Sequence, residues 1–248
     1  MTLLALLQAR NEERFIRGWL ANVAQIVDGI VALDDGSHDA TAEILGMHPK
    51  TVELIHNPPG RPWDERGNQM DLIRAGRRHG ASWFLCMDAD ERIERRFGEN
   101  VIQLMNRADR EGFDAYSLQL RELWGDRSHY RTDGIWGVKA RYRFFRNNPE
   151  HRRFDPRPLH RAWMPLEIVA NLNRTGAHSG FNLYHLRMIM PRDRMARHAR
   201  YKECDPENRF QPEGYDYLID ERGMELAVVP RERDFVPYYD TALSDSGG

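Results

Sequence analysis

An α/β fold built on a mostly parallel sheet, with helices on both faces, is predicted by three observations. Over the first 90 residues, short apolar runs alternate four times with amphipathic helical patterns. This is the mark of parallel strands joined by crossover helices. Three of the apolar runs exit into polar groups: Arg10/Asn11/Glu12, Asp34/Asp35 and Asp88/Asp90. In an open parallel sheet such exits lie along one edge and share one crevice. Finally, Trp83-Phe84-Leu85-Cys86-Met87 runs straight into Asp88-Ala89-Asp90-Glu91. A short apolar run of this kind, bounded by Gly80-Ala81-Ser82 and by charges, reads as a buried central strand.

The elements follow in order. Leu3 to Leu7 is the first strand, and Gln8-Ala9-Arg10-Asn11 its polar exit. Glu12 to Ala24 carries Phe15, Ile16, Trp19, Leu20 and Val23 at helical spacing. Ile30 to Leu33 is a second strand running into Asp34-Asp35, with Gly36 for a tight turn. Ser37 or Asp39 is placed to cap a helix over Ala40 to Leu45. Val52 to Ile55 is a third strand, and Pro58-Pro59-Gly60-Arg61-Pro62 a loop. Asp64 to Arg78 is a helix, followed by the Trp83 strand. Gly98 to Arg107 is a surface helix, and Phe113 to Leu120 alternates as a strand.

Beyond Leu123 the texture changes. Leu123 to Gly137 is aromatic and irregular, and Arg141 to Arg146 alternates like a strand with one basic face. Between residues 131 and 161 stand nine Lys/Arg against three Asp/Glu. Alone this is a solvated face; beside a carboxylate pair it suits a phosphate or an acidic acceptor. Asn182 to Leu186 is a short strand carrying His185, Pro191 to Lys202 a basic helix, and Tyr215 to Ile219 a packing segment. From Arg231 the pattern fades, and Ala242 to Gly248 reads as a disordered end.

Composition narrows the class. A chain of 248 residues with 41% hydrophobic and 30% charged residues is globular. A net charge of -2 supplies no bulk field for nucleic acid or membrane, and no nucleic-acid motif is present. Two cysteines make no disulfide framework and fit a reducing cytoplasm. The apolar start lacks a basic n-region and meets Arg10-Asn11-Glu12-Glu13 at once, so it reads as a core strand rather than a signal peptide. No apolar run reaches the roughly 20 residues of a membrane span. The expected location is cytoplasmic, or peripheral at the inner membrane face.

Two carboxylates converging on a cleft repel each other unless a cation sits between them. Hard oxygen donors such as Asp88 and Asp90 suit Mg2+ or Mn2+, with a substrate phosphate completing the shell. The other reading of Asp-x-Asp is a solvated acidic turn. Glu12 and Glu13 can equally be first-turn helix charges, and Asp34, Asp35 and Asp39 turn or cap residues.

Four segments stand in the order and spacing of family 2 glycosyltransferases: Leu6 to Glu13, Ala32 to Thr41, Arg66-Gly67-Asn68 and Phe84 to Glu91. The sequence resembles that family clearly over residues 3 to 110 and loosely beyond. The resemblance implies a GT-A fold, a nucleotide-sugar donor (most commonly a UDP-sugar), Mn2+ or Mg2+, and inversion at the anomeric carbon. It implies a nucleotide-sugar-binding half over 1–113, an acceptor-side half over 114–230, and a largely disordered tail over 231–248. Carried over, Ala9, Arg10 and Glu12 line the nucleoside pocket. Asp34 or Asp35 contacts the base or ribose, and Arg66 and Asn68 approach the nucleotide from the adjoining helix. Asp88 and Asp90 hold the metal on the diphosphate. His185 is a third metal ligand or a structural histidine, with His160 as the competing one, although Arg161 stands where an acidic residue often follows it. Gln8-Ala9-Arg10 and His38 depart from the family's usual residues without removing a charge.

Breaking a glycosyl–phosphate bond loads negative charge on the diphosphate, which a metal stabilises as a Lewis acid. Inversion also needs a base on the opposite face to take the acceptor proton. Asp133, in the irregular aromatic segment, is the first candidate, with Glu122 and Asp126 as rivals; an ordinary turn Asp before Gly134 is the alternative for Asp133. The acceptor expected from family habit is a cell-envelope polysaccharide or glycolipid. Other functions remain in play. A nucleotidyltransferase would want a glycine-rich loop after strand one, which Gln8-Ala9-Arg10-Asn11-Glu12 lacks. A phosphatase using Asp-x-Asp would want Thr or Val where Arg92 stands. A non-catalytic nucleotide-sugar-binding module is the third.

Overall fold

The computed structural model describes residues 1–156 and 162–235. Its first strand, β1 (Leu3–Ala9), is buried along its whole length, as an apolar run in the middle of a sheet must be. Helix α1 (Glu13–Val23) buries Phe15, Ile16, Trp19, Leu20 and Val23 against it. Then follow β2 (Gly29–Asp34), α2 (Thr41–Met47), β3 (Thr51–His56) and α3 (Glu65–Arg78). Asp64 caps α3 by accepting from the Gly67 N–H at 2.9 Å. Strand β4 (Trp83–Cys86) completes the parallel set β3-β2-β1-β4.

The second half adds β5 (Glu91–Ile93), α4 (Arg95–Glu111), β6 (Ala115–Glu122), β7 (His129–Arg131), α5 (Gly134–Val138) and β8 (Ala140–Arg146). After the short turns α6 (Leu166–Val169) and α7 (Leu172–Thr175) come β9 (Gly176–His185), α8 (Pro191–Cys204) and β10 (Leu226–Val228). One sheet of eight strands runs β3-β2-β1-β4-β8-β6-β9-β5, and a separate pair joins β10 to β7. β6 and β9 are parallel, whereas β4–β8, β6–β8 and β5–β9 are antiparallel. The fold is therefore the expected α/β with a mostly parallel sheet, extended by antiparallel strands.

Sheet order and connectivity together force curvature. β5 begins five residues after β4 ends, yet three strands lie between them. Four strand spacings on a flat sheet measure about 19 Å. Five residues reach about 18 Å only when fully extended. Here they are not extended, because the Glu91 N–H returns to the Asp88 carbonyl at 3.0 Å in a tight turn. The strands from β4 to β5 must curl, and the Asp88–Asp90 turn bridges the opening of the curl.

Inside the curl, Trp83, Tyr116 and Phe144 stack, with Trp83 and Phe144 ring centroids 4.5 Å apart. This places aromatic residues of both halves in one core cluster, together with Ile93, Phe97, Leu183 and Tyr184.

Several expectations change or resolve. Glu91-Arg92-Ile93, read as charges after a strand end, is itself a buried strand. The segment Leu123 to Gly137 is irregular only in part, since it contains β7 and most of α5. Of the two cap candidates for α2, Asp39 serves, accepting from the Thr41 N–H of the first turn at 3.0 Å. Both residues also reach across: Ser37 Oγ accepts from Asn11 N–H at 3.0 Å and Asp39 from Glu13 N–H at 3.1 Å. Residues 231–235, expected to open a patternless tail, are packed: Phe235 is buried and Arg233 bonds Glu94 at 2.8 Å. The remainder of that tail and His160 lie outside the described residues.

Candidate active site

The exits of β1 and β4 and the far end of β9 open into one cleft of about 940 Å³. Arg10, Glu12, Asp88, Asp90 and His185 all line it. Arg141 and Arg143 enter from β8, Arg187 follows β9, and Asp193, Arg197 and Arg200 project from one face of α8. Trp63 and Glu65 also line it.

The β1 and β2 exits are stitched together before any ligand arrives. Asn11 adopts φ 56°, a left-handed conformation that Asn tolerates, and its Oδ1 accepts from the His38 N–H at 2.8 Å. Glu12 donates its N–H to Thr41 Oγ1 at 2.8 Å. Gly36 at φ +75° closes the second loop, where a Cβ would meet Pro59 Cα at 2.9 Å. Behind this wall, Asn57 donates to Asp35 at 2.6 Å and to Asn68 at 2.9 Å. Arg10 lies 3.8 Å from Asp35.

At the centre, Asp88-Ala89-Asp90-Glu91 is held from beneath by Arg92. This fully buried guanidinium donates to the carbonyls of Ala89, Glu91 and Phe15, each at 2.8 Å. Each carboxylate of the turn meets an arginine. Arg143 donates to Asp88 Oδ2 and Glu91 Oε1, both at 2.6 Å. Arg187 pairs with Asp90 Oδ2 and reaches Glu12 at 2.5 Å. His185 sits between carboxylates, with Nδ1 2.5 Å from Glu122 Oε2 and Nε2 3.1 Å from Asp90 Oδ2.

Charge states follow from this packing. Burial pushes the Glu12 and Glu91 carboxyls up to about 7, against their arginines. Burial would also raise Asp90, but Arg187 and His185 hold it well below the usual carboxylate range. His185 loses hydration, yet Glu122 and Asp90 lift its pKa to about 10. Glu122, though buried, falls to about 2 because His185 faces it. At neutral pH His185 is therefore a doubly bonded cation that donates hydrogen bonds and accepts no proton.

The residues named from sequence separate into three groups. Asp88, Asp90, His185, Arg10 and Glu12 come together at the cleft, and Glu122 is joined to it through His185. Ala9, Asp34, Asp35 and Asn68 are buried behind its wall, with Asp34 accepting from the Ser37 N–H at 3.2 Å.

Asp133, Asp126 and Arg66 do not reach the cleft. Asp133 is bound by Arg131 at 2.6 Å and by the Glu225 N–H at 3.2 Å, fastening the β7–β10 pair. Asp126 accepts from the Ser128 N–H at 2.6 Å in a surface turn. Arg66 is exposed, because α3 turns Asn68 and Leu72 to the sheet and a residue two positions earlier lies on the other side. Sequence reasoning missed Arg92, Arg143 and Arg187 as individuals. The alternating basic face of β8 was the one available signal, and nothing local shows which acid an arginine will meet.

Whether Asp88 and Asp90 suit a divalent cation is answered by their donors. Both offer hard oxygens, and the Asp88 side chain is 44% exposed to the cleft. His185 is not disposed as a third ligand, since both ring nitrogens already face carboxylates. Among the described residues no group of three or more His, Cys, Asp or Glu could hold a metal. The pair therefore fits a divalent cation only with further oxygen ligands from outside the chain, as Mg2+ is commonly held.

The family model described as "Glycosyl transferase family 2" matches residues 6–164, more than half of the chain. An uncharacterised protein of Mycobacterium tuberculosis is 26% identical over 218 residues, covering 85% of this chain and 52% of that protein. The chain thus spans about half the length of the curated relatives it matches. Among solved structures, S. aureus TarS 1–349 is 14% identical, covering 89% of this chain and 70% of that one, with a TM-score of 0.49. Glucosyl-3-phosphoglycerate synthase from Mycobacterium tuberculosis, in complex with phosphoglyceric acid, is 16% identical, covering 75% of this chain and 70% of that one, with a TM-score of 0.42.

Proposed function

The chain belongs to glycosyl transferase family 2, with the GT-A type of α/β fold that the family implies, and on that premise we propose that it is a metal-dependent glycosyltransferase. It moves a hexose from a nucleotide-diphosphate sugar, a UDP-sugar first, to an acceptor hydroxyl. The observation that supports this most is the convergence of Arg10/Glu12, Asp88/Asp90 and His185, from three strand ends, on one cleft.

In this reading the nucleoside lies toward Arg10 and the Asp35–Asn57–Asn68 network. Asp88 and Asp90 would hold Mn2+ or Mg2+, which would supply Lewis-acid stabilisation of the charge that builds on the leaving group. The protein's own part is to aim those carboxylates. Arg92 fixes the turn, Arg143 pairs with Asp88, Arg187 holds Asp90 charged, and His185, itself oriented by Glu122, positions Asp90. His185 thus acts behind the metal site, as carboxylate-backed groups commonly do.

Of the three carboxylates expected as the base, only Glu122 is coupled to the cleft, and it is engaged by His185 and by Lys139 at 3.5 Å. Inversion, which the family implies, is checked by the anomeric configuration of the product. No described helix is long and apolar enough to cross a membrane. An envelope polysaccharide or glycolipid is the acceptor class that this reading favours.

Calorimetric titration of UDP into the purified chain, with Mn2+, Mg2+ or chelator, tests the reading. Metal-dependent binding is expected in the wild type, and Asp90→Asn should abolish the dependence. Failure of UDP and of other nucleoside diphosphates to bind with either metal would remove the donor-site reading.

A further inference from the structure

The cleft holds more positive charge than its carboxylates neutralise, and the surplus is confined to one wall. Arg10 stands beside Asp35, Arg143 is taken by Asp88 and Glu91, and Arg187 by Asp90 and Glu12. Asp193, the acidic group of the α8 face, is bound by Arg14.

Three cleft-lining guanidiniums remain without a carboxylate in ion-pair contact among the described residues: Arg141, Arg197 and Arg200. Arg141, exposed at the start of β8, bonds only the adjacent Ala140 carbonyl at 3.0 Å. Arg200 is exposed on α8, one turn beyond Arg197. Arg197 is turned inward and donates from Nε to Tyr201 Oη at 3.2 Å. Its Nη1 lies 3.3 Å from Nε2 of His185.

Cations gathered at this spacing repel one another. Lys139, behind the wall, shows the effect: its pKa falls to about 8, mostly through burial, with Arg141 and Arg197 adding to the fall. Glu122 and Asp90 face Arg197, but Glu122 is already shared between His185 and Lys139, and Asp90 between His185 and Arg187. A wall of guanidiniums facing an open cleft is complementary to an oxyanion, which the planar fork of arginine binds in two-point fashion.

The position of the wall distinguishes two possible anions. Contacts run in a line from Glu12 through Arg187, Asp90 and His185 to Arg197. The nucleoside end of the cleft adjoins Glu12, and the diphosphate is assigned to Asp88 and Asp90. Arg197 stands at the opposite end, with Arg141 and Arg200, on elements of the second half of the chain.

We propose that Arg141, Arg197 and Arg200 anchor an anionic acceptor, one carrying a phosphate or carboxylate group near the hydroxyl that receives the sugar. This rests on the glycosyltransferase reading of the same cleft. Ala196, between Asp193 and Arg197 on the lining face of α8, leaves room for the group.

The test uses matched probes on the full chain: glycerol 3-phosphate against glycerol, and glucuronate against glucose. Binding is measured by calorimetry with and without saturating UDP and Mn2+, and stimulation of UDP release from a UDP-sugar is followed in parallel. The variant is Arg141→Gln/Arg200→Gln, chosen because both side chains are exposed and their loss leaves the fold intact.

The expected result is saturable binding of the charged probe of at least one pair and not of its neutral partner. The variant should weaken that binding by about tenfold or more, the size of losing a charge-assisted bond, with UDP affinity unchanged. Equal binding of charged and neutral probes, or no binding of either anion, overturns the proposal. An equal loss of UDP and probe affinity overturns it too, by assigning the wall to the donor. If UDP fails to bind the wild type while an arginine-dependent anion site remains, the glycosyltransferase reading has failed and the anion anchor has not. If UDP binds and no anion does, the reverse holds.

Discussion

At the scale of single residues, the cleft is a set of charges that hold one another in place. His185 is the clearest case, because its folded pKa of about 10 lies above the ordinary 6.5. A base raised in this way adds stability that is fully present below pH 6.5 and is lost as pH rises through 10. In chelator, the stability advantage of the wild type over His185→Gln should therefore shrink between about pH 6.5 and pH 10. Urea midpoints across that range measure it, and a constant difference would mean that His185 is not charged in the fold. Asp133 predicts the opposite kind of outcome. Its partner is Arg131, which is 3% exposed, so Asp133→Asn should lower stability by about 1–3 kcal/mol. UDP binding and product formation per folded molecule should stay as in the wild type. A selective loss of kcat in that variant would return Asp133 to the catalytic candidates.

At the scale of elements, each functional side chain depends on a turn shaped by something outside it. The Asp88–Glu91 turn rests on Arg92, whose removal takes away the guanidinium that bonds the Ala89, Glu91 and Phe15 carbonyls. Arg92→Met should cost about 3 kcal/mol or more and weaken metal-dependent UDP binding along with it. Chemical denaturation and calorimetry on the same preparation read both, and a loss of stability with unchanged UDP affinity would show that the turn holds its shape unaided. Gly36 carries the neighbouring exit. Its positive φ and the close approach of Pro58 and Pro59 predict that Gly36→Ala destabilises the chain by more than about 1 kcal/mol. The strands and long helices of the first half were legible because their apolar periods are unbroken. β5 and β7, each three residues long, were not, because so few positions show no period and their partners come from distant segments.

At the scale of the whole molecule, the two halves expected from sequence share a single curled sheet. β4 pairs with β8, and β5 of the first half pairs with β9 of the second. Unfolding followed by tryptophan fluorescence and by far-ultraviolet circular dichroism should therefore give coincident transitions; two separated transitions would show that the halves are independent domains. By itself the sequence determined the α/β class and the order of the parallel strands' polar exits, and it named Glu12, Asp88 and Asp90 but not Glu65 or Asp193 among the carboxylates that line the cleft. These depend on local apolar period and on the rule that strand exits share an edge, both written in neighbouring residues. Only the tertiary structure decided that Asp133 and Asp126 lie elsewhere, that His185 is clamped between Asp90 and Glu122, and which arginines are neutralised and which stay free to bind. An ion pair joins residues as far apart as Glu12 and Arg187, and its partner is chosen by the curl of the sheet, which no local pattern records.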